Sequence, residues 1–138
     1  MIIDNFLVMS DAQEVLTTAA SESYIDTLAA GNALVPGARL KVIVNTAFTT
    51  SDSATLTVAL QTDSDSGFAT ALATLLTTSA LAVTSIDAIG DNILDIQIPV
   101  GMLRYLRMYY TVGTGSFLTG KVDARIVLDT ARTMDKTL

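Results

Sequence analysis

The chain has 138 residues, of which 50% are hydrophobic and 16% charged, with a net charge of −6. That length suits one domain with one core, and that composition excludes a disordered chain. The acidic balance argues against nucleic acid as a partner, and the absence of His and Cys removes the commonest general base, thiolate chemistry and the usual transition-metal ligands.

The chain opens on MIIDNFLVMSDAQ. Asp4 interrupts the apolar stretch and no Lys or Arg precedes Arg39, so the pattern is not that of a secretory signal. No apolar run approaches the ~20 residues of a membrane-spanning helix, and no membrane association is expected. Residues 11–20 read either as a helix capped by Ser10 or Asp11, with Glu14 near its third position, or as extended chain. We expect residues 1–23 to form an N-terminal arm. Its apolar side chains Ile2, Ile3, Phe6, Leu7 and Val8 need a surface to cover them, which a second subunit or another partner would supply; the competing reading makes the arm an integral edge strand of the same sandwich.

Residues 24–129 carry the signature of strands. Thr and Val are abundant, Lys is scarce, and Glu14 and Glu22 are the only Glu residues. Residues 24–28, 72–78 and 81–86 are weak strands, and 68–76 can also be read as a short helix. Stronger strands alternate with period 2. Leu40, Val42, Val44 and Phe48 oppose Lys41 and Asn45, and Leu56, Val58 and Leu60 oppose Thr55, Thr57, Ala59 and Gln61. Further on, Leu94, Ile96 and Ile98 are predicted inward with Asp95 and Gln97 outward. Leu106, Met108, Tyr110 and Val112 are predicted inward with Tyr105, Arg107 and Tyr109 outward. Val122, Ala124, Ile126 and Leu128 are predicted inward with Lys121, Asp123 and Arg125 outward. Turn signals at Pro36-Gly37, 64–67, 90–92, 99–101 and 113–116 separate these runs. About eight strands at this spacing predict an all-β, antiparallel β-sandwich or barrel. Residues 130–138 form a C-terminal tail.

Asp63-Ser64-Asp65-Ser66-Gly67 has the alternating acids of a calcium loop. A bidentate acid downstream is missing, and the same residue types make ordinary hairpin turns, so no metal is expected. Asp87, Asp91 and Asp95 flank a Gly-Asp-Asn turn and read as a solvated loop rather than as a glycosidase pair. Arg104, Arg107, Lys121 and Arg125 make either a basic patch or cross-strand ion pairs with Asp95 and Asp123. No Lys or Arg occurs between Lys41 and Arg104, where six Asp residues do, a segregation that can set register between subunits. Tyr105, Arg107 and Tyr109 make a candidate contact patch, Tyr being favoured at protein interfaces. With no nucleotide-binding glycine motif and no nucleophile elbow, neither a cofactor nor an enzymatic activity is expected.

MIIDNFLVMSDAQ, ATLTVALQTDSDSGF, RYLRMYYTVGTG and GKVDARIVLD together resemble the capsid cement, or decoration, proteins of Bordetella-type short-tailed bacteriophages, from Met1 to about Asp129. The resemblance implies a jelly-roll fold, made in the host bacterial cytoplasm and placed on the outer surface of the virion capsid. It implies a shell built from a major capsid protein of HK97-like fold as partner, and self-association as a homodimer, although cement proteins elsewhere are trimers. Family members join neighbouring capsomers without covalent bonds. The alternative is a receptor- or carbohydrate-binding β-sandwich of a phage head fibre or tail, which the absence of Trp weakens.

Overall fold

The computed structural model describes residues 3–27, 38–99 and 101–127, with side chains from residue 7 onward. Among them lie ten strands: β1 (Ile3–Glu14), β2 (Ala19–Ala20), β3 (Ile25–Asp26), β4 (Arg39–Thr50), β5 (Thr55–Asp63), β6 (Ala73–Thr77), β7 (Leu81–Ala82), β8 (Asn92–Gln97), β9 (Tyr105–Gly113) and β10 (Phe117–Val127). A single 3₁₀ turn at Val83–Ser85 is the only helical element among the described residues. Neither segment that could be read as a helix forms one: residues 11–14 end β1 and residues 19–20 form β2, and residues 73–76 lie in β6.

The strands make two antiparallel sheets. One has the order β1-β10-β4-β8. The other runs β2-β9-β5-β6, with β3 also on β9 and β7 also on β5. Their facing sides close one core, an all-β antiparallel sandwich. Alternation explains the register. Leu40, Val42, Val44 and Phe48 of β4, Leu56, Val58 and Leu60 of β5, Leu106, Met108 and Tyr110 of β9, and Val122, Ala124 and Ile126 of β10 are all buried. Leu60 has no exposed surface. Leu60→Ala is expected to cost about 2–5 kcal/mol in a denaturant melt; a loss under about 0.5 kcal/mol, the range of surface changes, would contradict this packing.

Three expectations are corrected. The first concerns the arm. Residues 3–14 are an edge strand of the first sheet, in register with β10 from Ile3↔Val127 to Glu14↔Lys121. Leu7, Met9 and Val15 belong to the core, so Leu7 is covered by its own domain. Residues 19–26 then cross to the second sheet and pair with β9. The sandwich thus begins within the segment read as an arm. Strand alternation is hidden there because β1 breaks register three times and Ala12 adopts a φ of 50°. The second correction is Ile96, which is 36% exposed because β8 is an edge strand of the first sheet among the described residues. The third is Asp123, predicted outward yet only 8% exposed. Its Oδ1 accepts the Ala12 N–H at 2.7 Å and its Oδ2 accepts from Asn45 Nδ2 at 3.1 Å, so this carboxylate fastens the β1 irregularity to the sheet. Ile2, Leu28, the Pro36-Gly37 turn, Leu128 and the tail lie outside the described residues, as do the side chains of Ile3 and Phe6.

A polar bridge joins the sheets through the core. Tyr110 is fully buried, and its hydroxyl lies 2.7 Å from Ser10 Oγ, which in turn donates to Gln13 Oε1 at 2.7 Å. Burial pushes the Tyr110 phenol far above its ordinary value of 10.0, against the opposing Ser10 bond, so the ring stays neutral. Gln13 completes the bridge by donating to Ala20 O and accepting from the Glu22 N–H.

Candidate interface on the outer face of the second sheet

The side of β9 turned away from the core carries Tyr105, Arg107 and Tyr109. The register sets Asp63 beside Tyr105, Gln61 beside Arg107 and Ala59 beside Tyr109, with Ala20 of β2 also opposite Tyr109. The cross-strand neighbours of Tyr109 on both sides are alanines. The three residues of the predicted patch are thus brought together on one face.

Two residues that sequence reasoning missed complete this face. The turn after β5 folds back so that Phe68, held at a φ of 54°, lies beneath Arg107, whose Cζ is 4.5 Å from the ring centroid. Phe68 is buried without joining the main core. Tyr24 meets Phe68 edge-on at 6.1 Å and Tyr105 edge-on at 5.5 Å, and is 48% exposed. Arg107 Cζ also lies 5.3 Å from the Tyr109 centroid, and Arg104 Cζ 5.1 Å from that of Tyr105. Such cation–π contacts hold an arginine flat at little entropic cost. The available signal was an aromatic directly after a polar turn, but its partner is 39 positions away and no periodicity links the two.

Asp63 shapes the turn that carries Phe68. Its carboxylate, fully buried, accepts backbone N–H bonds from Asp65 at 3.0 Å, Thr70 at 3.2 Å and Ala71 at 2.9 Å. Burial by itself would raise its pKa; the bonds from Ala71, Asp65, Thr70 and Ser64 outweigh it and hold the carboxyl below the ordinary 3.8. The calcium-loop resemblance therefore has an internal explanation, since these oxygens are already used by backbone. A chelator is expected to leave the melting temperature unchanged. Because the folded pKa is depressed, the contribution of Asp63 is complete above about 3.8 and is lost as pH falls through the folded value. Asp63→Asn should lower the melting temperature at neutral pH, and the gap to wild type should close as pH falls below the ordinary 3.8 and through the folded value. A gap that is independent of pH would contradict this role.

The basic residues resolve differently from expectation. Asp95 pairs with Arg39 at 2.8 Å and Lys41 at 3.6 Å, Arg104 makes a two-point pair with Asp26 at 2.7 and 3.0 Å, and Arg125 lies 3.8 Å from Asp123 on its own strand. The Arg39 hydrogen bond, with its charge and that of Lys41, overcomes burial and holds Asp95 below the ordinary carboxylate range. Arg107 and Lys121 make no ion pair among the described residues.

Of the N-terminal candidates, Leu7 faces the core and Val8 is half-buried on the edge strand. They do not join the Tyr105–Arg107–Tyr109 face, which belongs to the other sheet. Residues 9–126 match the Bbp16 family. No curated protein matches the chain.

Proposed function

The chain belongs to the Bbp16 family, a Bordetella phage protein family, and from that premise we propose that it is a capsid cement protein, bound to the outside of an assembled phage head and stabilising contacts between neighbouring capsomers. The family match over residues 9–126 carries the reading. The outer face of the second sheet supports it: Tyr24, Tyr105 and Tyr109 around Arg107 are the residue types that dominate protein interfaces. The edge next to that face supports it too. From Ser66 to Ile86 there is no charged residue, and β6 lies there as an edge strand without the Lys or Pro that normally guards one.

The partners of this reading are the major capsid protein of HK97-like fold and a second copy of this chain. The mechanism is linkage. A protein that binds only the assembled shell adds its binding free energy to that state. Because many copies act on one lattice, modest affinity at each site is sufficient.

A mass-spectrometric census of purified virions tests it. A copy number near that of the major capsid protein is expected. A far smaller number would remove the cement role and favour a fibre or tail component.

A further inference from the structure

Arg107 differs from the other described arginines. Arg39, Arg104 and Arg125 each lie within 4.0 Å of a carboxylate, whereas Arg107 has none among the described residues. What holds it is neutral. Its Nε donates to Gln61 Oε1 at 2.8 Å, and the guanidinium rests against Phe68 and Tyr109. Gln61 orients the group without neutralising it. Among the described residues its two terminal nitrogens have no hydrogen-bond partner. No buried side-chain nitrogen or oxygen lacks a partner among the described residues, so these two reach the surface.

A planar cation fixed by its Nε and by two rings, with its terminal nitrogens free, is half of a two-point recognition unit. The matching half is a planar anion with two acceptors. We propose that Arg107 is the receptor for a carboxylate side chain, Asp or Glu, of the protein that docks on this face. This deepens the contact-surface reading given above and rests on it. A protein carboxylate is chosen over nucleic-acid phosphate because the chain carries a net charge of −6 and Arg107 stands alone, whereas a phosphate backbone is bound by groups of cations. Tyr24, Tyr105 and Tyr109 would exclude water around the pair, which strengthens it.

Two measurements on the full chain decide it. In the first, a capped tetra-aspartate peptide is titrated into wild-type protein while the arginine Nε–H signals are followed by NMR. Arg107 should shift and saturate at low salt while Arg39, Arg104 and Arg125 move little. A uniform response of all arginines overturns the proposal. In the second, Arg107→Lys, shown to be folded by circular dichroism, is compared with wild type in decorating purified heads stripped of the protein. Lysine keeps the charge and loses the fork, so binding should fall by about tenfold or more. Undiminished decoration by the variant overturns the proposal while leaving the cement reading intact. If wild type itself fails to decorate heads, the cement reading falls and the peptide titration alone decides the site.

Discussion

Removing residues 1–9 is expected to unfold the domain, not to detach it from a partner. The deletion takes Leu7 and Met9 from the core and strips the ladder from Ile3↔Val127 to Val8↔Arg125. Burying a side chain of that size contributes roughly 1.5–3 kcal/mol, so the two together are a large share of the ~5–15 kcal/mol that stabilises a domain. The deletion also removes Met9 O, which accepts the Ser23 N–H at 3.0 Å and ties the crossing segment down. It leaves the Arg125–Val127 end of β10 without its β1 partner, an open sheet edge that is a template for aggregation. The melting temperature should fall by about 15 °C or more, by the usual scaling for a domain of this size, and the variant should accumulate as aggregate. A truncated chain that melts like wild type, as judged by far-UV circular dichroism, would return residues 1–9 to the status of a separable arm.

Gly120→Ala is expected to be strongly destabilising for a change of one methyl group. Gly120 sits in β10 at a φ of +152°, and a Cβ there would lie 2.1 Å from Phe48 Cδ2 and 2.3 Å from its Cε2. Phe48 has no room to retreat. It is fully buried, meets Phe117 edge-on at 4.8 Å, and its N–H is bonded to Ile86 O at 3.1 Å. Gly120 O also accepts the Val15 N–H at 3.1 Å, so displacing the strand loosens the end of β1. The clash should cost about 3 kcal/mol or more, at the upper end for overpacked cores. Coupling identifies the cause. In a Phe48→Leu background the same substitution should cost at least about 1 kcal/mol less, a non-additivity typical of residues in contact. Equal costs in both backgrounds would show that the ring is not the obstacle.

The family match places the chain in a phage protein family, and the proposed contact is tested on the outer face of the second sheet. Arg107 is the most economical test of that face because its proposed partner is a defined chemical group. The pH and chelator experiments on Asp63 are independent of it, since they test the turn that carries Phe68.

The sequence by itself determined the sandwich and most of its core. In β4, β5, β9 and β10 apolar and polar residues alternate, strand side chains alternate between faces, and one face must leave water. The same rule identified Tyr105, Arg107 and Tyr109 as one outward row. Only the tertiary structure decided the role of residues 3–26. Their bulges scramble the period, and their burial depends on β10 and β9, which lie far downstream in the chain. It also decided which acid meets which base: Arg104 found Asp26 rather than Asp95, because ion pairs follow strand order and not sequence distance. Finally, it placed Phe68 under Arg107. That contact needs Asp63 to gather three backbone N–H groups and turn the chain back across its own sheet, an arrangement that no local pattern encodes.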